Sequence, residues 1–233
     1  MCSDGASTAP PKPSSCLTSK KDGVTRTVYR QTIARWLQGY DYQVGGERRR
    51  SDPLWRPDYA NDDDQIELSF RDLIELRFVK SFRDLGLSLP TIRACFRRAV
   101  EEVQDERPFS TQKFRTDGKA IFLDITQNVG DGELIDLRHR QRVFRTVVEP
   151  SLRDLEFEAD AVARWYPLGV LRQSIVIDPA RVFGRPLAAE AGVPTEVLAN
   201  AVNVEGSVET VARLYEVAPA VRDAVAFERK LAA

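Results

Sequence analysis

Apolar side chains recur at helical spacing over residues 25–37, and this pattern predicts a short amphipathic helix. The opposite face is polar, with side chains that can hydrogen-bond base edges and phosphate groups. Gly39 supplies a stop signal after the last apolar position. The apolar positions are Tyr29, Ile33, Trp36 and Leu37, and the polar ones are Thr27, Gln31, Arg35 and Gln38, with Arg30 beside them.

A stretch without regular periodicity follows, over residues 39–67. It contains glycines, prolines, an arginine triplet at 48–50 and an aspartate triplet at 62–64, which is typical of a loop or a short β-wing. Trp55 and Tyr59 are expected to hold this segment against the core.

Two longer amphipathic helices are predicted next. Ser69 has the side chain of an N-cap, and Asp72 can reach back from the third helical position. The first helix ends at Gly86, and the second begins near Leu89 with Pro90 in its first turn, where proline is tolerated. We expect these two helices to form a helical hairpin. Their apolar stripes are Phe70, Leu73, Ile74, Phe78, Phe82 and Leu85, then Ile92, Phe96, Ala99 and Val103.

The pattern changes to mixed α and β after Pro108. Residues 109–125 predict a β-hairpin around an Asp117-Gly118 turn, with Phe114 among its apolar positions. A helix is expected over residues 137–152. Short strands are expected near residues 155–157, 163–166 and 174–177.

The segment from Pro194 onward predicts three short helices. Ser207 suits an N-cap, and Pro219 suits a first helical turn. Three short helices in this length suit a compact helix-turn-helix. The predicted fold is mainly α with a small α+β middle portion. Its expected divisions are a flexible leader at 1–22, a first helical domain at 23–106, an α+β linking region at 107–172 and a helix-turn-helix domain at 173–233.

Composition places the chain among ordinary globular proteins, with 42% hydrophobic and 30% charged residues and a mean hydropathy of -0.35. No apolar run approaches the roughly 20 residues that span a bilayer, and the N-terminus lacks the apolar stretch of a secretory signal. The three cysteines match neither a metal site nor a disulfide framework. We therefore expect a cytoplasmic protein without a membrane segment.

The formal net charge is -1, so no overall basic field indicates a nucleic-acid partner. Basic residues are nevertheless concentrated in the first quarter of the chain. A solvated loop and a phosphate-binding wing are equally good interpretations of the arginine triplet by itself. We expect DNA contacts from Arg26, Thr27, Arg30, Gln31, Arg35, Arg48, Arg49 and Arg50, with base contacts from Gln31 and Arg35.

Catalytic chemistry has little support in the sequence. The single histidine, His139, lies in an arginine-rich predicted helix, where a surface role is favoured. The aspartates at 62–64 are adjacent in sequence and seldom converge on one cation, so an acidic loop is the favoured interpretation. Gly45-Gly46, Gly130 and Gly132 do not fit a phosphate-binding pattern. We expect no enzymatic activity, no metal and no cofactor.

The N-terminal part resembles the DNA-binding domain of MerR-type regulators. The resemblance covers residues 23–94 and is carried by the stretch LRFVKSFRDLGLSLPTIR, which looks like the helix pair that follows the wing in that family. It implies a winged helix-turn-helix with a recognition helix, a basic wing and two further helices. The first helix of that motif has only SCLTSKKDGV as its counterpart in this chain.

The C-terminal part resembles a domain of uncharacterised function found in VapB-like antitoxins. This resemblance implies a toxin partner, a VapC-like PIN-domain ribonuclease, and repression of the module's own operon by a homodimer on palindromic DNA. Toxin contacts are expected from Arg222, Phe227, Arg229 and Lys230. The resemblance is carried by Ile177-Asp178-Pro179, Gly184-Arg185-Pro186, Gly192-Val193-Pro194-Thr195, Glu205-Gly206-Ser207, Val221, Ala224 and Phe227-Glu228.

Two alternatives to an antitoxin remain open. One is a free-standing MerR-like regulator whose middle region senses a small ligand. The other is a protein-interaction module in which both helical units bind proteins, and failure to bind DNA at low salt would favour it.

Overall fold

The computed structural model describes residues 18–21, 24–59, 66–84, 86–118, 120, 145, 148–169 and 171–232, and these form a mainly helical fold with small antiparallel sheets. The helices are α1 (Arg30–Gln38), α2 (Phe70–Asp84), α3 (Leu89–Val103), α4 (residues 112–118), α5 (Glu149–Arg153), α6 (Thr195–Glu205), α7 (Val208–Leu214) and α8 (Ala218–Ala232), with 3-10 turns at Pro108–Ser110 and Val182–Gly184. The strands are β1 (Thr18–Lys21), β2 (Val24–Thr27), β3 (Tyr40–Val44), β4 (Glu47–Ser51), β5 (Leu155–Glu158), β6 (Ala161–Trp165), β7 (Ile175–Ile177) and β8 (Pro186–Ala188).

The N-terminal helix is shorter than expected. Strand β2 pairs with β1 and occupies the positions where a helix was predicted to begin, so α1 starts only at Arg30. Strand β1 also takes up the last part of the predicted leader, and residues 1–17 lie outside the described residues. A β-hairpin therefore stands before α1, where the MerR resemblance implied a helix.

Helices α2 and α3 confirm the predicted helical hairpin. The amide of Asp72 donates to Ser69 Oγ at 3.0 Å, and the amide of Ser69 donates to the Asp72 carboxylate at 3.3 Å. These two bonds form the reciprocal cap that the sequence indicates. Helix α3 begins at an N-cap, Ser88, and carries Pro90 in its first turn.

The start of α2 lies in a buried polar network. The fully buried carboxylate of Asp72 accepts hydrogen bonds from Trp55 Nε1 at 2.8 Å and from Arg107 Nε at 2.7 Å. The amide of Asp58 donates to the same carboxylate at 3.1 Å. Trp55 is buried as predicted, whereas Tyr59 is 52% exposed and does not hold the segment to the core.

The β-hairpin predicted from residue 109 is wrong over its described part, which runs through a 3-10 turn into α4. Thr111 caps this helix, since its Oγ1 accepts from the amide of Phe114 at 3.1 Å. The ring of Phe114 lies 4.9 Å from that of Phe109, and both rings pack on Phe78. Burial of these rings in one cluster prevails over the local turn signal of Asp117-Gly118.

The predicted strands of the middle region are confirmed, and they belong to one antiparallel sheet with the order β5-β6-β7-β8. Strand β8 had no counterpart in the prediction. The sheet crosses the expected boundary at residue 172 through the pair Trp165 and Ile177. Only α5, near the end of the helix predicted over 137–152, lies among the described residues of that segment.

A buried arginine joins the helical hairpin to this sheet region. Arg77 on α2 donates to Asp154 at 2.6 Å and to the carbonyl of Ser151 at 2.7 Å, and its guanidinium lies 5.0 Å from the ring centre of Trp165. Burial lowers the pKa of Arg77 to about 10, against the opposing effect of Asp154. The side chain therefore fixes α2 against residues far away in the sequence.

Helices α6, α7 and α8 form the predicted C-terminal helical unit around a second apolar core. Ser207 is the N-cap of α7, accepting from the amide of Thr210 at 3.2 Å, and Pro219 lies in the first turn of α8, both as predicted. The core of this unit contains Ile175, Ala188, Leu198, Val211, Ala212, Val217, Ala220, Val221 and Ala224.

The fully buried Glu75 predicts an unusual pH dependence of stability. Burial raises its pKa to about 8, although the amides of Phe109 and Ser110 donate to its oxygens at 3.3 and 2.9 Å. The folded state therefore keeps a proton that the unfolded state releases above the ordinary value of 4.5. The contribution of Glu75 to the free energy of unfolding is fully present below pH 4.5. Above that pH it falls by about 1.4 kcal/mol per pH unit until the raised pKa is reached.

Denaturation at about pH 6 and pH 8 measures this effect. From pH 6 to pH 8 we expect the free energy of unfolding of the wild-type chain to fall by roughly 2 kcal/mol more than that of Glu75→Gln. This difference does not depend on the absolute stability of the variant. The exposed Glu101→Gln should behave like the wild type. Equal pH dependence in the wild type and Glu75→Gln would contradict the assignment.

Candidate nucleic-acid interface

Helix α1 and the hairpin of β3 and β4 form one continuous structure through Gly39. This glycine has φ +75°, and a Cβ atom built on it would lie 2.4 Å from the carbonyl oxygen of Ser51. Only glycine combines this backbone conformation with so close an approach. The helix C-terminus is thereby held directly against the base of the hairpin.

The polar face of α1 is exposed, as the periodicity indicated. Arg30, Gln31 and Arg35 are exposed, while Ile33, Trp36 and Leu37 are buried. Thr27, predicted to share this face, and Arg26, predicted to contact DNA beside it, lie on β2 instead. The structure therefore places three of the five DNA-contact residues predicted in this segment together on α1.

The hairpin has the geometry expected of a short wing. Gly45 and Gly46 form its turn with φ +60° and +87°, the paired positive values of a turn that matches the twist of antiparallel strands. Tyr42 pairs with Arg49, and Gln43 pairs with Arg48. Because side chains alternate along a strand, the arginine triplet is divided between the two faces of the hairpin.

One hairpin face carries Arg48 and Arg50 with a carboxylate between them. Arg48 donates to Asp41 at 2.6 Å, and an Arg50 nitrogen lies 3.8 Å from the other Asp41 oxygen. The hydrogen bond from Arg48 lowers the pKa of Asp41, so this carboxylate stays ionised. Asp41 therefore offsets part of the positive charge on this face.

The other hairpin face combines tyrosine with arginine. The guanidinium of Arg35 lies 4.1 Å from the ring centre of Tyr40, and the rings of Tyr40 and Tyr42 are 5.9 Å apart. Arg49 shares this face, and its nearest carboxylate is Glu47 at 3.6 Å. The sequence analysis overlooked the tyrosines, although the alternation in YDYQV before a Gly-Gly pair was a signal for them.

This basic surface, defined as residues 30–51, contains five arginines and two carboxylates, a formal charge of +3. Arginines can neutralise phosphates, and glutamine and arginine can bind base edges in the major groove. The exposed tyrosines add rings that can pack against sugar or base. The arrangement therefore has both phosphate-binding and base-reading groups.

The C-terminal helices have the opposite charge. Residues 195–230 contain six acidic and four basic side chains, a formal charge of -2. Of the predicted toxin contacts, Arg229 and Lys230 are exposed, and Arg222 is exposed and ion-paired with Glu209 at 3.1 Å. Phe227 is only 7% exposed, so its ring is packed inside the unit and is not an accessible contact.

A groove of about 610 Å³ lies between the segment that follows the hairpin and helix α3. Trp55 forms part of its wall and is stacked on Phe96 with 5.1 Å between ring centres. Arg56, Arg97 and Glu106 contribute polar groups to it. The sequence analysis did not predict this groove, because its two walls are more than 35 residues apart along the chain.

The sequence offered His139 and the aspartates at 62–64 as candidate catalytic and metal-binding residues. The aspartates at 62–64 and His139 lie outside the described residues. Among the described residues, no group of three histidine, cysteine or carboxylate side chains is placed to hold a metal ion. Cys95 is buried, and burial raises its pKa to about 12. No described helix has the length and apolar character needed to cross a membrane.

Removal of the Asp41 carboxylate tests the charge balance of the basic surface. In Asp41→Asn the surface loses its bridging anion, so we expect tighter binding to duplex DNA and a salt dependence steeper by about one unit of slope. Fluorescence anisotropy across a salt series measures both quantities. Glu205→Gln removes one negative charge from α6 instead, and it should change neither the affinity for DNA nor its salt dependence. An equal response of both variants would mean that the surface has no special role.

Comparisons with known proteins show which fold the chain shares. No protein-family model matches the chain, and no curated protein matches it. The chain is similar to the crystal structure of Rv2018 from Mycobacterium tuberculosis, with a TM-score of 0.64 and 20% sequence identity over 88% of this chain and 92% of that one. At this identity the likeness shows a shared fold alone.

Proposed function

We propose that this chain is the antitoxin of a toxin-antitoxin module in the cytoplasm. In this proposal it represses its own operon by binding DNA and neutralises a VapC-like PIN-domain ribonuclease. It acts as a homodimer and needs no cofactor or catalytic activity of its own. The resemblance to antitoxins is the basis for the ribonuclease partner. The basic surface and the C-terminal helices support the two binding roles.

The observation that carries the DNA-binding role is the joining of α1 to a basic hairpin. The exposed Gln31 and Arg35 lie on a helix whose end is held at Gly39 against a two-stranded wing. A helix for the major groove and a wing for the adjacent backbone are the parts of a winged DNA-binding domain. The formal charge of +3 over residues 30–51 supports the same role in a chain whose net charge is -1.

The C-terminal helices support a separate role in protein binding. Helix α7 is followed by a turn at 215–217 and then by the longer α8, and Glu216 in that turn has φ +57°. Two helices joined by a three-residue turn support the helix-turn-helix that the resemblance to antitoxins implies. Its formal charge of -2 over residues 195–230 disfavours contact with DNA phosphates and leaves the unit available for a protein.

A second candidate is a free-standing regulator that responds to a small ligand. The groove lined by Trp55, Phe96 and Arg107 favours it, because aromatic walls with a few polar groups are typical of ligand sites. Apart from Arg107, the residues that line this groove lie outside residues 107–172, the middle region in which a sensor was expected. Release of DNA by a small ligand, without any copurifying protein, would favour this candidate.

Substitution of Gln31 and Arg35 by alanine tests the DNA-binding role. We expect the double variant to bind the duplex upstream of its own gene roughly tenfold to a hundredfold more weakly, because base-edge contacts are lost. Affinity for a scrambled duplex should change less. Arg229→Ala removes an exposed arginine from α8 and serves as the control. Unchanged operator affinity in the double variant would show that α1 does not read DNA.

The adjacent reading frame tests the antitoxin role. We expect it to encode a PIN-domain ribonuclease that stops growth when expressed alone and is neutralised when this chain is coexpressed. The variant with Gln31 and Arg35 changed to alanine should still neutralise it, because another surface binds the toxin. Ribonuclease assays of the purified complex measure the inhibition. The proposal would be abandoned if no such neighbour exists or if its ribonuclease activity is unaffected.

A further inference from the structure

The loop between β7 and β8 holds three consecutive residues in the left-handed region. Val182, Phe183 and Gly184 have φ values of 47°, 56° and 72°. The conformation is ordinary for glycine, but it is strained for a phenylalanine and more so for a β-branched valine. The chain therefore uses an unfavourable backbone to place these two side chains.

The strained backbone presents an aromatic ring to solvent. Phe183 is 85% exposed and Val182 is 37% exposed. The Phe183 ring, with this exposure, gains little from burial, and aromatic residues are characteristic anchors of protein interfaces. The ring therefore has no evident structural purpose within the described part of the chain.

The loop is built to hold the ring in a fixed position. The buried Asp178 accepts from the amide of Ala180 at 2.9 Å and from Arg164 Nε at 3.1 Å. Backbone amides of Gly184 and Arg185 donate to the carbonyls of Arg181 and Val182 at 3.0 and 3.1 Å. A preorganised loop loses little conformational entropy when a partner binds.

The charges beside Phe183 define the chemistry of that partner. Arg181 and Arg185 flank the ring in sequence, and both are only partly buried. Arg185 lies 3.9 Å from the nearest Glu196 oxygen, and Arg181 donates to the carbonyl of Ala189 at 3.3 Å. An apolar side chain between two cations suits a protein surface with an apolar pocket bordered by carboxylates.

We infer that the loop at Asp178–Arg185, with Phe183 at its tip, docks the ribonuclease partner in an apolar pocket with an acidic rim. This inference rests on the proposed antitoxin function and names the surface that performs it. It also replaces Phe227, which is buried, with a phenylalanine that a partner can reach.

Titration calorimetry of the full chain with the PIN-domain protein from the adjacent reading frame tests the inference. We expect Phe183→Asn to weaken the complex by roughly tenfold or more, since an interface anchor is lost. Asparagine tolerates the left-handed conformation, so the melting temperature of the free variant should not fall. Leu171→Asn removes a 99% exposed apolar side chain from the preceding loop and should leave affinity unchanged. Binding should weaken with salt, and less steeply in Arg185→Gln.

The possible failures are distinguishable. A wild-type chain that does not bind the ribonuclease overturns the proposed function together with this inference. Wild-type binding with an equally tight Phe183→Asn complex overturns this inference alone. It is also overturned if Phe183→Asn melts at a lower temperature, which would show a structural role. Sedimentation that changes from dimer to monomer in Phe183→Asn would overturn it too, because the occupant would then be a second copy of the chain.

Discussion

Asp72 brings a carboxylate into the fully buried start of α2, and several parts of the chain converge on it. Its oxygens accept from Trp55, Asp58 and Arg107 and from the cap residue Ser69, so two other segments are fixed to this helix terminus. Arg107 is itself only 3% exposed, and it also donates to the carbonyl of Arg56 at 2.6 Å. Removing Asp72 would leave Arg107 with Asp58, at 2.8 Å, as its carboxylate partner. Removing Arg107 would take away the cation paired with the buried Asp72, and breaking a buried pair typically costs about 3–5 kcal/mol.

The basic surface depends on this network. The amide of Leu54 donates to the carbonyl of Trp36 at 2.8 Å, which links the end of α1 to the segment that carries Trp55. Arg93 on α3 donates to the carbonyl of Asp52 at 2.6 Å and to Ser51 Oγ at 3.0 Å, at the base of the hairpin. The orientation of α1 and the hairpin is therefore set by contacts with the buried Leu54 and with the partly buried Arg93.

Local signals in the sequence were sufficient where the structure itself is local. Ser69 and Asp72 form the predicted cap because both partners lie within one helical turn. The prediction failed at residues 109–118, where an Asp-Gly pair suggested a turn while burial of Phe109 and Phe114 against α2 favours a helix. Asp72 and Arg107 are 35 residues apart in the sequence, and no periodicity in the sequence predicts that they pair. The basic surface was predictable in composition, but its division between two faces required the strand register.

The use of glycine along the chain sharpens the argument about Phe183. Glycine occupies the left-handed positions at Gly39, Gly45 and Gly46, where the geometry of the helix end and the hairpin requires that conformation. Among the described non-glycine residues with positive φ, only Val182 and Phe183 are adjacent. Glycine at position 183 would relieve the strain there with little loss of buried contact, since the Phe183 ring is largely exposed. Strain that persists around an exposed ring indicates that the ring acts outside the fold, and binding is the action open to a phenylalanine.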